Sequence, residues 1–237
     1  FPHRIDLTTA ATVPAATTGA AELVCREELV LCGVPMVPMI LDAYGTDCVF
    51  EAHRRDGERL PRGASIGTLR GDASQMLAAE RVILNFLQRL SGVSTLTSTY
   101  ASAIAKTGAR LLDTRKTTPG YRAIEKYAVA RGGGWNHRLG LFHWMLIKDN
   151  HLSSTGATRD QRLEDAVRKA KQRFPEVVVE VEVDRVSQIE PVLRAGADIV
   201  MLDNFPLEEL RAAVALVDGR ALTEASGGIT LATLPDV

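Results

Sequence analysis

The chain has 237 residues, of which 46% are hydrophobic and 24% are charged, which is the composition of an ordinary globular protein. Its net charge of -1 gives no support to a role in binding nucleic acid or a membrane surface. No apolar run approaches the ~20 residues of a transmembrane helix, and nothing near Phe1 reads as a signal peptide.

The cysteines indicate a reducing compartment. Cys25, Cys32 and Cys48 are odd in number and have no paired metal-ligand spacing, so buried reduced thiols are the expected state. We therefore expect a cytoplasmic protein. The chain starts at Phe1 and ends at Val237, soon after a helix is expected to begin, so we also expect that the natural protein extends beyond both ends.

The first part of the chain predicts a small α+β module. Candidate strands, each a short alternating or apolar pattern, are residues 20–27, 29–34 and 48–52. Residues 34–43 predict a helix that is broken or kinked at Pro35 and Pro38.

Helical periodicity begins at Ala73. Apolar residues recur at helical spacing as far as Leu90, and Ser91-Gly92 is expected to divide this helix from a second one at 95–104. Glu80 and Arg81 lie within the first helix, where a surface ion pair is as good an interpretation as a functional one.

Beyond Lys106 the pattern alternates between strand and helix, which predicts a parallel sheet. Candidate strands are 109–113, 144–148, 177–183, 198–202 and 220–224. Candidate helices are 121–131, 160–173, 186–195 and 206–217. Alternation alone does not separate an open sheet from a barrel, but the lack of a GxGxxG motif after a strand disfavours a dinucleotide-binding fold.

Polar clusters follow these strands, and carboxyl strand ends are where an α/β barrel builds its active site. The clusters are Asp113/Arg115/Lys116, Lys148/Asp149/Asn150/His151, Glu182/Asp184, Asp203/Asn204 and Glu224/Ser226/Gly227/Gly228. They favour a barrel. Five strands cannot close an eight-stranded barrel, so we expect it to be incomplete.

The charged residues of these clusters suit an anionic, phosphorylated ligand. Arg makes forked contacts with carboxylate or phosphate, and Lys supplies a point charge. The cationic candidates are Arg115, Lys116, His137, Arg138 and Lys148. Taken alone, each loop also fits a solvated turn, and Lys148 also fits a Schiff-base nucleophile.

Two further patterns point to phosphate chemistry. Glu182 and Asp203 fit a Mg²⁺ ion held jointly with the phosphates of a substrate, although a salt bridge to a cation in the same pocket is an equally good interpretation. Ser226-Gly227-Gly228, between a strand and an expected helix start, fits a phosphate held by backbone N–H groups better than a simple tight turn.

The order of these motifs resembles that of the nicotinate-nucleotide pyrophosphorylase, or quinolinate phosphoribosyltransferase, family. The matching segments are Glu80-Arg81-Val82-Ile83-Leu84-Asn85-Phe86, Asp113-Thr114-Arg115-Lys116-Thr117-Thr118-Pro119-Gly120, Lys126-Tyr127-Ala128-Val129, Gly132-Gly133-Gly134-Trp135-Asn136-His137-Arg138, Ile147-Lys148-Asp149-Asn150-His151, Glu180-Val181-Glu182-Val183-Asp184, Met201-Leu202-Asp203-Asn204-Phe205 and Glu224-Ala225-Ser226-Gly227-Gly228. They cover nearly the whole chain.

The resemblance implies an α/β protein with a small N-terminal α/β sandwich domain at 1–90 and an incomplete, TIM-like α/β barrel at 91–237. It implies a glycosyltransferase that joins quinolinate to phosphoribosyl pyrophosphate with Mg²⁺ and no organic cofactor, releasing pyrophosphate and CO₂ in NAD biosynthesis. It further implies a homodimer or an assembly of dimers.

The resemblance also implies a role for each site residue. Arg115, His137, Arg138 and Lys148 would line the quinolinate pocket, which Arg81 would enter from the partner subunit. Lys116 would face phosphoribosyl pyrophosphate, beside Thr114. Glu182 and Asp203 would hold the ribose hydroxyls and Mg²⁺, and Ser226, Gly227 and Gly228 the 5′-phosphate. Lys116, Lys148, Glu182 and Asp203 are the expected catalytic residues.

Three other functions remain open. A related protein associated with molybdenum transport is the alternative within the superfamily, although the full set of cations argues against it. A lyase or aldolase would use Lys148 as a Schiff base. A non-catalytic protein would bind the phosphorylated sugar without releasing pyrophosphate.

Overall fold

A computed structural model describes residues 6–152 and 158–237. The chain divides between His137 and Arg138 into two compact units, which we describe in turn. Across the described ranges, none of the helices combines the length and the apolar character needed to cross a membrane.

The first unit combines small antiparallel sheets with helices. In chain order it contains α1 (Leu7–Thr12), β1 (Thr18–Val24), β2 (Leu29–Val30), α2 (Met36–Ala43), β3 (Val49–Ala52), β4 (Arg59–Leu60), β5 (Ser65–Asp72), α3 (Ala73–Ala103) and α4 (Arg122–Arg131). β5 lies between β1 and β3, and β2 pairs with β4. The core packs Ile66 and Leu69 of β5 with Val37 of α2 and Ile83 of α3.

The central strand β5 is absent from the sequence-based prediction. Gly67 and Gly71 interrupt its apolar pattern, and glycine is normally depleted in strands. The structure gives the reason for Gly67: a Cβ at this position would lie 2.6 Å from the Phe50 ring and from the carbonyl oxygen of Glu51. The close approach of β3 requires glycine here.

The prolines do not break α2. Pro35 is the N-cap and Pro38 lies in the first turn, where a backbone N–H has no partner within the helix. The predicted kink at these positions is therefore wrong, and α2 is a regular helix of 8 residues.

α3 runs without interruption through Ser91-Gly92, so the predicted division into two helices is wrong. The Ser91 hydroxyl accepts from the backbone N–H of Cys32 at 3.0 Å and donates to its carbonyl oxygen at 3.2 Å. This serine therefore ties the helix to the segment after β2 instead of capping a helix end. A glycine inside a helix costs about 1 kcal/mol relative to alanine, which the packing of a long helix can offset.

The predicted strand 109–113 is reduced to a single parallel bridge between Leu112 and Trp135. Its partner segment follows glycines that pack tightly: a Cβ at Gly132 would lie 2.3 Å from the carbonyl oxygen of Ser94 in α3. The glycine run is therefore a structural turn, as its composition alone suggested, and it leaves too little extended chain for a longer pairing.

The second unit alternates strands and helices. It contains β6 (Met145–Ile147), α5 (Arg159–Arg173), β7 (Val179–Val183), α6 (Ile189–Arg194), β8 (Ile199–Asp203), α7 (Leu207–Val217) and β9 (Leu222–Ser226). The strands form a parallel sheet in chain order, β6-β7-β8-β9. The predicted helix 186–195 begins as a 3₁₀ turn, Val186–Gln188, before α6.

The predicted α/β fold class is confirmed, with antiparallel sheets in the N-terminal part and a parallel sheet in the C-terminal part. One face of the parallel sheet carries aliphatic residues that pack against α5, α6 and α7, such as Val181, Val200 and Leu202. This buried face explains why the strands read as apolar runs.

Candidate active site

The other face of the parallel sheet carries most of the polar side chains of its strands. Side chains alternate along each strand, and residues paired in parallel strands point the same way, so the register determines which residues share a face. The residues of this face, taken from β6 to β9, are Leu146, Lys148, Glu180, Glu182, Ile199, Met201, Asp203, Leu222, Glu224 and Ser226. Lys148 follows β6 directly and remains extended, with φ −124° and ψ 168°.

Four predicted site residues therefore lie on one sheet face near the carboxyl strand ends. The pairing of Ile147 with Val181 places Lys148 beside Glu182, and Asp203 pairs directly with Ser226. The Lys148 ammonium group donates a hydrogen bond to the Glu182 carboxylate. The sequence allowed either a metal site or a salt bridge at Glu182, and the structure contains the salt bridge.

The loop after β9 requires glycine. Gly227 and Gly228 have φ values of 92° and 62°, in the left-handed region that favours glycine. A Cβ at Gly227 would lie 2.2 Å from Oδ1 of Asn204, whose backbone N–H donates to the carbonyl oxygen of Ser226 at 2.8 Å. The loops after β8 and β9 therefore hold each other in place.

The segment after Gly228 differs from the expected helix start. It forms a turn in which the backbone N–H of Thr230 donates to the Thr233 hydroxyl at 3.0 Å, followed by a 3₁₀ helix at Leu234–Asp236. Within the described part of the chain, no α-helix begins directly after this loop to help bind phosphate. The prediction of a phosphate site therefore rests on the backbone N–H groups of the glycine loop.

A chain of polar contacts connects Arg138, Trp144 and Glu180 in the second unit. The indole N–H of Trp144 donates to Glu180, which is fully buried, at 2.9 Å. The Arg138 guanidinium donates to the carbonyl oxygen of Trp144 at 3.3 Å. Trp144 was missed in the sequence because it reads as the start of an apolar strand, and only its hydrogen bonds distinguish it.

In the first unit, the cationic loop is the segment 114–120, before α4. Its Arg115 side chain is half-buried and its Lys116 side chain is exposed. The Thr114 hydroxyl accepts from the backbone N–H of Lys116 at 3.0 Å, which makes a tight turn at this point. Thr114 therefore shapes the loop in addition to its predicted contact with substrate.

The far end of this loop is anchored to α4 by Glu125. The Glu125 carboxylate accepts from the backbone N–H of Thr118 at 3.2 Å and from its hydroxyl at 2.8 Å, and it pairs with Arg89 of α3. Burial opposes ionisation, but the hydrogen bonds from Arg89 and Thr118 outweigh it and lower the pKa of Glu125.

The near end of the loop is anchored by the next residue of α4. Lys126 is 2% exposed and forms an ion pair with Asp113. It also donates to the carbonyl oxygen of His137 at 2.9 Å. His137 is itself buried, and its backbone N–H donates to Asp113 at 2.9 Å.

Arg81, a predicted site residue, and Trp135, from the glycine-rich segment, also belong to the first unit. Arg81 is on α3 and exposed, and within the described residues no hydrogen bond or ion pair is recorded for it. Trp135 is half-exposed, with the Arg110 guanidinium 4.0 Å above its ring.

Family models match almost the whole chain. The model described as "Quinolinate phosphoribosyl transferase, N-terminal domain" matches residues 6–91, and its C-terminal counterpart matches residues 93–237. A curated relative, nicotinate-nucleotide pyrophosphorylase (carboxylating) of Mycobacterium leprae (strain TN), is 42% identical over 97% of this chain and 81% of its own length.

Two further comparisons agree. The chloroplastic nicotinate-nucleotide pyrophosphorylase (carboxylating) of Arabidopsis thaliana is 39% identical over 98% of this chain and 70% of its own length. The solved structure of the nicotinate-nucleotide pyrophosphorylase from Francisella tularensis has a TM-score of 0.90 and 38% identity, covering 98% of this chain and 80% of that one.

Proposed function

The chain belongs to the quinolinate phosphoribosyl transferase family, and we propose that it joins quinolinate to phosphoribosyl pyrophosphate, giving nicotinate mononucleotide, pyrophosphate and CO₂. The observation that carries the proposal for this chain is the strand register. It gathers a lysine, two carboxylates and a glycine loop on one face at the carboxyl strand ends.

The carboxylates suit the ribose half of the reaction. Departure of pyrophosphate leaves positive charge on the ribose ring, and fixed carboxylates beside it stabilise that charge. Glu182 and Asp203 are on the same sheet face, two strand positions apart across the β7–β8 pairing. Their other role is to accept hydrogen bonds from the ribose hydroxyls.

The cations suit the quinolinate half. Quinolinate carries two carboxylates, which Arg115, His137, Arg138 and Lys148 would hold so that the ring nitrogen faces C1′ of the ribose. After that bond forms, the carboxylate beside the ring nitrogen leaves as CO₂. Its electron pair passes to the positively charged pyridinium ring, and a proton from water then takes the vacated position.

The remaining contacts hold phosphate. Lys116 is exposed on its loop and supplies a point charge for phosphoribosyl pyrophosphate, with Thr114 beside it. Ser226, Gly227 and Gly228 turn backbone N–H groups and a hydroxyl toward the 5′-phosphate. The left-handed glycines support this role, because they allow close approach to a ligand.

The donor set fits Mg²⁺ bound together with substrate. Mg²⁺ usually takes one or two carboxylates plus substrate phosphates, and Glu182 and Asp203 supply that number on one face. Glu182 is paired with Lys148 and Asp203 with the Asn204 amide at 2.7 Å, so each carboxylate has an oriented partner. The ion, when bound, neutralises charge on the leaving pyrophosphate.

The test is release of labelled CO₂ from carboxyl-labelled quinolinate, which should require both phosphoribosyl pyrophosphate and Mg²⁺. Arg115→Ala and Arg138→Ala should each lower kcat/KM by about 100-fold or more, because each removes a charged contact to substrate. Arg59→Ala, which breaks an exposed ion pair with Glu28, is the matched control. Absence of CO₂ release, or full activity in both variants, would refute the assignment.

We include a homodimer in the proposal, with Arg81 entering the partner's quinolinate pocket. The exposure of Arg81 on α3 supports this, since the side chain is available to another copy. Arg81→Ala and Lys148→Ala proteins should each be nearly inactive, and mixing them should restore part of the activity. Mixtures no more active than their components would exclude a shared site.

A cytoplasmic location is the last part of the proposal. The three cysteines are buried and free, which fits a reducing compartment. One relative is named chloroplastic, so location varies among related proteins. Fractionation of the source cells, followed with an antibody to this chain, would decide between the cytoplasm and an organelle.

A further inference from the structure

Lys126 and Asp113 form a buried ion pair that lies at the start of the cationic loop and contacts the segment around His137. Their side chains are 2% and 8% exposed. The Asp113 carboxylate also accepts from the backbone N–H of His137 at 2.9 Å and from the Asn136 amide at 2.8 Å. The Lys126 ammonium also donates to the His137 carbonyl oxygen at 2.9 Å.

This network of Lys126, Asp113 and Asn136, which we call the clamp, holds the main chain of His137 from two sides. Its N–H is bound by the carboxylate, and its C=O is bound by the ammonium group. The Asn136 amide closes the network by donating also to the carbonyl oxygen of Lys126 at 2.8 Å. With both peptide groups fixed, the direction of the His137 Cα–Cβ bond is fixed as well.

The position of the pair in the sequence gives it a second effect. Asp113 comes directly before Thr114-Arg115-Lys116, and His137 comes directly before Arg138. One ion pair therefore links the start of the segment that carries Arg115 and Lys116 to the start of the segment that carries Arg138. The proposed function assigns these three side chains to substrate binding.

Stability alone is a poor explanation for the pair. A buried ion pair gains little net stability over well-packed apolar residues of the same size, because both charges lose their hydration. Its directional hydrogen bonds do something that apolar packing does not, since they fix two backbone segments in one register.

We infer that Lys126, through Asp113, is a positioning residue for the quinolinate pocket, orienting His137 and the loop that carries Arg115. The inference rests on the proposed function. It predicts that loss of the pair weakens quinolinate binding more than it slows the chemical step, because positioning of that substrate is what the pair supplies.

The main variant is Asp113→Asn/Lys126→Met, which removes both charges so that no unpaired charge stays buried. We expect it to remain folded and to raise the KM for quinolinate by about ten-fold or more, with a smaller change in the KM for phosphoribosyl pyrophosphate. Asn136→Ala, at an exposed position, should raise the same KM by about three-fold, because it removes only the closing hydrogen bonds.

The control is Asp198→Asn/Lys171→Met in the second unit. Asp198 pairs with Lys171 at 2.5 Å and accepts from the backbone N–H of Val179 at 2.6 Å. It has the same kind of ion pair and backbone hydrogen bond as the clamp, but its side chains are more exposed, at 40% for Asp198 and 24% for Lys171. It lies at the amino ends of β7 and β8, and its loss should leave the KM for quinolinate within about two-fold. An equal KM increase in clamp and control variants, or an unchanged KM in the clamp variant, would overturn the inference.

Hydrogen exchange separates this inference from the proposed function. The His137 amide should exchange slowly in the native protein and at least about ten-fold faster in the clamp variant, whatever the substrate. Unchanged exchange would overturn the inference. If the native protein releases no CO₂ from quinolinate but the clamp variant shows this change in exchange, the proposed function and the role in quinolinate binding are overturned, and only the orienting of His137 is retained.

Discussion

Lys148 and Glu182 form an ion pair between the end of β6 and the end of β7, with side chains that are 35% and 19% exposed. The pair joins a residue proposed to hold quinolinate to one proposed to hold ribose. Because the pair is partly solvated, its own contribution to stability is about 1 kcal/mol or less.

Glu182→Gln should therefore affect catalysis far more than stability. The amide keeps the shape but loses the charge that is proposed to face the ribose, so we expect kcat to fall about 100-fold with a stability change of about 1 kcal/mol or less. Steady-state kinetics and urea unfolding measure the two effects. Glu164→Gln is the matched control, since Glu164 is 20% exposed and pairs with Arg168 and Arg194 on the helical layer. Equal losses of kcat in both variants would contradict the prediction.

Glu125 should make stability depend on pH in the acid range. Its pKa in the folded protein lies below the usual 4.5, so the folded state binds fewer protons than the unfolded state. The stabilisation is fully present above pH 4.5 and is lost as the pH falls through the folded pKa. Glu125→Gln should lower the free energy of unfolding by about 1 to 2 kcal/mol at neutral pH.

The difference between native protein and Glu125→Gln should shrink below pH 4.5, as the native carboxylate takes up its proton. Urea unfolding across this range measures it. Glu28→Gln, at an exposed ion pair with Arg59, serves for comparison. A difference that stays constant, or grows toward acid, would show that the Glu125 charge is not what anchors Thr118.

Gly227→Ala should damage the proposed phosphate loop. The new Cβ would meet Oδ1 of Asn204 at 2.2 Å, and the backbone would keep an unfavourable φ of 92°. We expect a cost of about 1 to 3 kcal/mol in stability and a higher KM for phosphoribosyl pyrophosphate. Gly219→Ala has a similar φ of 69° with nothing within 4 Å of its Cβ, so it should be milder and leave this KM unchanged. Identical behaviour of the two variants would rule out the Asn204 contact as the cause.

The thiols should be unreactive until the protein unfolds. Cys25, Cys32 and Cys48 are buried, and burial raises the pKa of Cys32 to about 12, with the nearby Asp56 charge adding to the effect. A disulfide reagent at neutral pH should therefore label none of these thiols quickly in the native state and all of them in denaturant. Ser102→Cys, at an exposed position in the last turn of α3, should react at once and shows that the reagent works. Fast labelling of the native protein would contradict the burial.

The parallel sheet was predictable because its signals are local. Strands such as β8, predicted as 198–202 and found as Ile199–Asp203, are short apolar runs bounded by turn residues. The positions of Lys148, Glu182, Asp203 and Ser226 at the carboxyl strand ends were predictable for the same reason, since these residues close the apolar runs.

What sequence reasoning missed depends on contacts between distant residues. Ser91 stays helical because its hydroxyl binds Cys32, which is 59 residues away. Glu125 and Lys126 read as the charged surface of a helix, but they are buried against the ends of the cationic loop. No periodicity distinguishes a charged residue that faces water from one that anchors a loop.

The uninterrupted helix α3 fixes the rotational register of the residues on either side of the boundary between the two family models. The family models end and begin at residues 91 and 93, and both positions lie inside α3, Ala73–Ala103. One inserted residue in a helix turns everything after it by about 100°. A one-residue insertion at this boundary should therefore turn Ser94 and Thr97, which are buried in α3, away from the helix face that packs within the first unit.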